Sequence, residues 1–349
     1  MKKCLKILTI LVILGGLSLT MTACAKGPFK TFEEKVSTVT EAFTGIEISA
    51  DTADITLLPS SDGSCRVVSF DHKRISYITS VTGGVLKIEK KDERGFLSRI
   101  FNFGKQTLAV YLPSAEYESL KINSSTGDIS VTDQFSFGDT EINISTGDIE
   151  LKNLIMKSLS ITLSTGDVDI SSLSCAENLS ITVSTGDLKL DSISCADLTS
   201  SGTTGGVRVN ALTANNVSIE RSTSEVAIGS ANLSGDVQVK VTTGDTVIDS
   251  VKCRDLITKG STGELDLRSV ISDGKFDIER STGDVTFDKC DASEISVTTD
   301  TGDVKGSFLT DKIILATADT GKIRVPESTT GGKCIITTDT GDITISIEK

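Results

Sequence analysis

The sequence predicts an all-β protein, a parallel β-solenoid (β-helix) of about twelve rungs of 19 to 20 residues behind an irregular N-terminal capping region. The first observation is a repeat of Thr followed by Gly, once by Ser, and usually by an acid, at intervals of 19 or 20 residues. A fixed period of this length is the signature of a solenoid. The repeated glycines are Gly127, Gly147, Gly166, Gly186, Gly205, Gly244, Gly263, Gly283, Gly302, Gly321 and Gly341, with Ser224 in the remaining slot.

The second observation is an alternation of apolar and polar residues around each glycine. In the unit 159–175 this alternation runs on both sides of Gly166, and a period of two is typical of strands. Because Gly adopts the positive φ of a sharp turn, we expect two short strands that meet at a glycine corner. Positions two and four after the Gly, and five before it, are mostly aliphatic and should face the core. The position three residues before the Gly holds Leu163 in one unit but Arg221 and Arg280 in others. The sequence therefore does not decide whether side chains at this position face the core or the solvent.

The regular solenoid is expected over residues 121–349, and residues 36–120 read as an irregular β region and cap. Thr52-Ala53-Asp54 repeats the corner pattern with Ala in place of Gly, so the coil can start there. Thr82-Gly83-Gly84 is a weaker match to the same corner pattern. Solenoid ends need covering, because an exposed strand edge aggregates. An apolar cluster before the regular rungs is therefore expected to be an end cap or hairpin tip, or alternatively a loop that touches a partner or the membrane. Its members are Phe96, Ile100, Phe101 and Phe103.

The N-terminus has the features of a secreted, lipid-anchored protein. Residues 1–23 read as a signal peptide, with basic residues followed by an apolar run from Ile7 to Leu19 that is shorter than the roughly 20 residues of a membrane span. The stretch 21–24 resembles a lipobox, so we expect Cys24 to be lipidated and residues 24–35 to form a tether. The protein would then lie in the bacterial cell envelope, on the outward face of the membrane. The alternative is an ordinary signal peptide that leaves Cys24 as a thiol.

Charge and cysteine content exclude some functions. The net charge of −13 and the pI of about 4.7 argue against nucleic acid, whose phosphates require a basic surface. Cys175 and Cys195 lie at equivalent positions of successive units, and a secreted location permits disulfides. Their Cβ vectors would be nearly parallel, which suits a disulfide poorly, so buried free thiols are favoured. Zinc is not expected, because the chain has one histidine, His72, far from these positions.

A column of acids follows the glycines, and ten of the twelve residues immediately after the corner are Asp or Glu. Towards the C-terminus the position two before the Gly also becomes Asp. Hard cations such as Ca²⁺ prefer several oxygen ligands, so calcium is a possible cofactor, and turn capping with solubility is the competing explanation. The calcium candidates are Asp300, Asp303, Asp319, Asp339 and Asp342.

No catalytic residues are predicted. Polysaccharide-cleaving β-helices need two carboxylates in contrasting environments inside a cleft built from long loops. The spacing of 19 or 20 residues leaves no room for such loops, and a uniform column of acids offers no contrast. Sugar binding by ring stacking also lacks its residues, because the chain contains no Trp.

Residues 108–113, followed by Leu120-Lys121-Ile122 and Thr126-Gly127-Asp128-Ile129, carry a resemblance to a known family. Over about residues 40–349 the chain resembles the bacterial putative-adhesin family of toastrack-like β-strand repeats, a domain of unknown function. The resemblance implies an envelope location and a role in adhesion or in sensing envelope stress. It carries over no catalytic residues.

These observations predict a non-catalytic cell-envelope lipoprotein that acts as an adhesin-like binding or scaffold module. Its expected partners are the membrane, through the N-terminal lipid, and an unknown envelope protein or surface ligand. One alternative is an envelope-stress sensing component that binds another envelope protein. A lesser alternative is a calcium-binding surface protein.

Overall fold

The structure is a computed structural model that describes residues 33–71, 75–93 and 106–348. The described residues form strands and no helix, and they wind into a parallel β-solenoid of about 11 turns, slightly fewer than the expected twelve. The predicted fold class is therefore confirmed. The strands are β1 (Glu33–Val39), β2 (Gly45–Ser49), β3 (Ala53–Pro59), β4 (Cys65–Asp71), β5 (Ile75–Thr82), β6 (Val85–Asp92), β7 (Gln106–Leu112), β8 (Glu116–Thr126), β9 (Ile129–Val131), β10 (Phe135–Thr146), β11 (Ile149–Thr165), β12 (Val168–Cys175), β13 (Leu179–Thr185), β14 (Leu188–Ser194), β15 (Asp197–Thr204), β16 (Val207–Ala214), β17 (Asn216–Thr223), β18 (Val226–Leu233), β19 (Val237–Thr243), β20 (Thr246–Cys253), β21 (Leu256–Thr262), β22 (Leu265–Arg268), β23 (Ile271–Thr282), β24 (Val285–Thr301), β25 (Val304–Phe308), β26 (Lys312–Thr320), β27 (Ile323–Arg324), β28 (Gly332–Thr340) and β29 (Ile343–Ile347).

The expected glycine corner forms the first turn of each regular rung. Gly166 has a φ of 137°, and a Cβ at this position would lie 2.0 Å from the carbonyl oxygen of Gly147 on the preceding rung. The stacked backbone thus occupies the space of a side chain, and the φ value is one that L residues rarely adopt. Glycine satisfies both conditions because it has no Cβ.

A second turn follows six residues after the glycine, and we did not predict it from the sequence. Ser172 there takes a left-handed φ of 55°, which small polar residues tolerate better than β-branched ones. A rung consequently has three straight segments, where we expected two. The left-handed residues of this second turn are Asn153, Ser172, Ser192, Ala211, Ser230, Ser250, Ser269 and Lys289.

The core is a continuous column of inward-facing side chains that stack from rung to rung. Positions two and four after the glycine are buried along most of the array, as expected. The exceptions are Gly306, which is half-buried, and the last rung, where Val325 is half-buried and Ile323 is 44 % exposed. Position three before the glycine also faces inward, which answers the question left open by the sequence. Its residues include Leu163 and the two arginines Arg221 and Arg280, all three buried.

The last rungs do not follow chain order. Strand β28 pairs in parallel with β24 on one side and with β26 on the other, and β29 lies between β25 and β27 in the same way. The rung of Gly341 therefore sits between those of Gly302 and Gly321. The terminal rung of the coil is formed by β26 and β27, although β28 and β29 come later in the sequence.

The N-terminal end combines one further rung with antiparallel strands. Strands β2 and β3 stack in parallel on β8 and β9, so the coil includes the Thr52-Ala53-Asp54 corner. Strands β6 and β7 form the next layer, and antiparallel β5, β4 and β1 close this end. Thr82 pairs with Val85 around Gly83 and Gly84 in a hairpin, so this segment is not the corner echo that we expected.

Candidate functional site

The acid column after the glycine corners forms a ladder of hydrogen bonds between rungs. The backbone N–H of Asp148 donates to Asp128 Oδ1 at 3.0 Å, that of Asp167 to Asp148 Oδ1 at 2.9 Å, and that of Asp187 to Asp167 Oδ1 at 2.8 Å. The ladder begins at Asp54, which accepts from the Asp128 N–H. Each carboxylate thus caps the turn of its neighbour, which agrees with the turn-capping explanation for the column.

The five calcium candidates fall into two columns on opposite sides of the corner. Asp303 and Asp342 belong to the ladder, since the Asp342 N–H donates to Asp303 Oδ1 and the Lys322 N–H to Asp342 Oδ1, both at 2.8 Å. Asp300, Asp339 and Asp319 are exposed on successive rungs, in that spatial order. Across the described ranges, no group of three or more His, Cys, Asp or Glu side chains is arranged to hold a metal ion.

Outward-facing charges are paired between adjacent rungs. Lys121 Nζ lies 2.8 Å from Glu141 Oε2, and this contact lowers the pKa of Glu141 and raises that of Lys121. Glu220 and Lys240 form another such pair at 2.6 Å. Among the carboxyl groups of the described segments whose pKa departs clearly from the ordinary value, every shift is downward. A general acid at neutral pH requires a raised carboxyl pKa, so these groups are not suited to that role.

Several depressions open on the surface of the described residues. One of about 550 Å³ opens beside Gly206, which stands where most rungs carry an acid. Asp187 and Glu225 flank it on the neighbouring rungs, and Lys189 and Arg208 line it as well. Lys189 is engaged with Asp169 at 3.2 Å. The depression therefore holds charges of both signs beside the aliphatic residues Val168, Leu188 and Val207.

The six cysteines of the described residues are buried free thiols, as expected for Cys175 and Cys195. Burial raises the pKa of Cys195, Cys253 and Cys334 to about 12. A thiol must be deprotonated to act as a nucleophile or a metal ligand. These side chains consequently act as small apolar core residues.

The terminal rung exposes apolar side chains and a strand edge. Strand β26 pairs with β28 on one side, and no described strand pairs with its other side. Ile313 and Leu315 are 40 % and 57 % exposed on its outer face, where inner rungs carry residues such as Ser158 and Ser160. Sequence reasoning missed this surface, because chain order places β28 and not β26 at the end.

Several predicted site residues lie outside the described residues. They are the signal peptide, Cys24 and most of the tether, together with Phe96, Ile100, Phe101 and Phe103. Within the described part of the chain, no helix is long and apolar enough to cross a membrane.

Comparison with known proteins finds distant similarities among solved structures and one family match. No curated protein matches the chain. Among solved structures, a "putative adhesin" from Parabacteroides distasonis is 14 % identical, with a TM-score of 0.31 over 90 % of this chain and 97 % of that chain. A "putative adhesin" from Bacteroides fragilis is also 14 % identical, with a TM-score of 0.28 over the same shares. A "putative lipid binding protein" from P. distasonis is 14 % identical, with a TM-score of 0.29 over 79 % of this chain and 98 % of that chain.

These structural similarities are too distant to argue function. The family model is a stronger match, because it aligns with residues 43–232 and again with residues 215–349. Together these ranges take in the glycine corners, the aspartate ladder and the terminal rung. The chain belongs to the Toastrack DUF4097 family.

Proposed function

We propose that the protein is a non-catalytic, adhesin-like binding or scaffold module of the bacterial cell envelope, held at the membrane by a lipid on Cys24. Its partner is an envelope protein or surface ligand that docks on the terminal rung. The observation that supports this proposal is the edge of β26, which pairs with no described strand on its outer side and carries two exposed apolar side chains, Ile313 and Leu315.

The two ends of the coil treat their edge strands differently. At the N-terminal end, edge strand β1 contains Val36, which is 52 % exposed, but it opens with Glu33, Glu34 and Lys35, and charge on an edge strand discourages pairing with other chains. At the other end, β26 carries Ile313 and Leu315 on its outer face. An unguarded edge with apolar side chains is the surface that an added strand of a partner protein requires.

The terminal rung also lacks the carboxylate that most rungs offer to the next one. In most of the aspartate ladder a rung supplies a carboxylate that accepts the N–H of the next rung, and on the terminal rung this position is Lys322. A lysine ammonium donates hydrogen bonds and accepts none. A further rung of the same type would lack this one hydrogen bond, as the rung that follows Gly206 does within the coil.

Absence of catalysis is part of the proposal. Many of the described carboxylates take part in turn capping or in ion pairs, and the described thiols are buried. The 550 Å³ depression at Gly206 is open and lacks contrasting carboxyl environments. Hydrolysis of a glycan or peptide panel by the purified protein would contradict this part.

The docking surface can be tested with Leu315→Lys in the bacterium that carries the gene. Ile155→Lys is the matched control, because Ile155 is 52 % exposed on the middle of the coil and Leu315 is 57 % exposed on the terminal rung. We expect in-cell cross-linking to the partner to fall at least tenfold with Leu315→Lys and to persist with Ile155→Lys. Equal loss, or no loss, in both variants would refute the assignment of the surface.

The anchor is tested separately with Cys24→Ala. We expect this variant to leave the membrane fraction while its purified form still binds the partner. Retention in the membrane would contradict lipid anchoring and would leave the docking surface unaffected.

A further inference from the structure

Residues 309–331, which we call the strap, leave the body of the coil and return to it. After β25 the chain passes over the layer that β28 and β29 occupy and forms β26 and β27 on the outer side of that layer. It comes back through residues 325–331 and then runs between the strap and the strands β24 and β25. The strap therefore covers strands that come later in the chain.

The rungs beneath the strap are complete without it. The corner glycines Gly302 and Gly341 are 39 residues apart, about twice the usual spacing, and the 20 residues 312–331 account for the excess. The strap also leaves and re-enters the coil at one place, because a Cβ at Gly331 would lie 1.7 Å from the carbonyl oxygen of Asp311. The strap is thus one extra rung, connected to the coil at a single point of exit and return.

Fewer apolar contacts hold the strap than hold the rung that it covers. Ile314 and Ala316, which face inward on β26, are half-buried, and Ile323 on β27 is 44 % exposed. The residues in register with them on the covered rung are fully buried, namely Cys334, Ile336 and Ile343. Segments with few buried apolar contacts open locally at a lower free-energy cost than the core.

One buried ion pair joins the strap to the body of the coil. Lys312 pairs in register with Gly332 of β28, which has no side chain, and Lys312 Nζ lies 2.5 Å from Asp291 Oδ1 of β24. These two side chains are 3 % and 17 % exposed. Lys312 Nζ also donates to Thr310 Oγ1 at 2.6 Å, and Thr310 Oγ1 donates to Asp291 Oδ1 at 3.1 Å. The ion pair thus reaches across β28 and fixes the strap to the strand beneath it.

We propose that the strap opens and closes as a unit, with the ion pair between Lys312 and Asp291 as its latch, while β28 and β29 stay in the coil. An open strap withdraws the edge of β26 and uncovers the edge of β28. The position of the strap therefore decides which strand edge the protein presents to other molecules. This inference goes beyond the proposed docking on β26 and does not depend on it.

Hydrogen exchange of the purified full-length protein tests the opening in the absence of any partner. The slowest-exchanging amides of each strand are compared, because amides on an open strand edge exchange without any opening. We expect those of β26 and β27 to exchange at least tenfold faster than those of β28 and β29, although β28 and β29 lie nearer the C-terminus. Equal rates would mean that the two rungs open together and would overturn the proposal. Faster exchange of β28 and β29 would mean fraying from the chain end and would overturn it as well.

The latch is tested with Asp291→Asn, a change on β24 and outside the strap. Loss of one partner leaves the Lys312 ammonium buried without its counter-charge, which is strongly unfavourable and is relieved when the strap opens into water. We expect exchange in β26 and β27 to accelerate at least tenfold while that in β28 and β29 stays unchanged.

Glu294→Gln is the matched control for the latch. Glu294 also lies on β24, but its ion pair with Lys333 of β28, at 4.0 Å, is exposed and does not involve the strap. We expect this variant to leave exchange in β26 and β27 as it is in the unchanged protein. Equal effects of the two variants on the strap would overturn the role of the ion pair, and so would a loss of protection in β28 and β29 after Asp291→Asn.

Discussion

Two neighbouring glycines, Gly205 and Gly206, should respond in opposite ways to the same substitution. Gly205 is a corner residue with a φ of 115°, and a Cβ there would lie 2.0 Å from the Gly186 carbonyl oxygen and 2.4 Å from its carbon. At Gly206 the φ lies outside the left-handed region, and the nearest atom to a Cβ would be Asp187 Oδ1 at 3.7 Å. Gly206→Ala is thus a control that adds the same methyl group one residue away.

The expected magnitude follows from these contacts. An alanine forced into the φ of Gly205 costs about 1–3 kcal/mol. Relief of the clash must also move the backbone away from the preceding rung. That movement weakens the bonds from the Gly186 N–H to the Thr204 oxygen at 2.9 Å and from the Leu188 N–H to the Gly206 oxygen at 2.8 Å, at about 1 kcal/mol each. Gly205→Ala should therefore cost about 3–5 kcal/mol. Gly206→Ala should be neutral or stabilising by about 0.4–1 kcal/mol, because it restricts the unfolded chain.

Urea denaturation of both variants measures the difference, and hydrogen exchange measures where it acts. Because each rung of a solenoid contacts only its neighbours, we expect the loss of protection after Gly205→Ala to centre on strands β13 to β16. Equal denaturation midpoints for the two variants would refute the reasoning. Loss of protection spread evenly over the coil would refute the claim that the clash is local.

Two further predictions concern the core. Gly202→Ala places a Cβ 1.5 Å from Arg221 Nη1 and 2.0 Å from the Val183 oxygen, so the urea denaturation midpoint of this variant should fall. Adding Arg221→Leu should restore only part of the lost stability, because the clash with the Val183 carbonyl oxygen remains. Burial raises the pKa of Cys253 from 9.0 to about 12, so its stabilising contribution is present below pH 9 and is lost as pH rises towards 12. Cys253→Ala should reduce this loss in urea titrations at about pH 8 and about pH 10.5, and an unchanged pH dependence would contradict it.

Much of the fold could be predicted from local patterns. The corner at Gly166 and the inward facing of Val168 and Ile170 follow from the backbone freedom of glycine and the period of two in a strand. The second turn at Ser172 was missed, although small or polar residues recur at this position. The signal was weak because Ser, Ala, Asn and Lys all occur there, so no single residue type marks the turn.

The candidate site was harder to predict. The acid column was visible in the sequence. Its role in turn capping, however, depends on which backbone N–H lies 2.8 to 3.0 Å from each carboxylate, and this requires the stacking of the rungs. Arg221 and Arg280 occupy a position that the sequence could not assign to the core or to the solvent. Leu163 at the equivalent position indicates the core, whereas an arginine in an alternating strand usually indicates the solvent side. Only the glycines that pair with them in register, Gly202 and Gly260, gave a signal that could have placed them inside.

By itself, the sequence determined the period of the coil, its glycine corners and most of its inward-facing side chains. Each of these depends on the conformation of a few consecutive residues. Only the tertiary structure decided that β28 inserts before β26, which atoms the aspartates and arginines meet, and which strand edge stays open. The physical reason is that rungs of equal length and register present nearly the same hydrogen-bonding edge. Their order in space is therefore set by packing between rungs and not by the repeat within them.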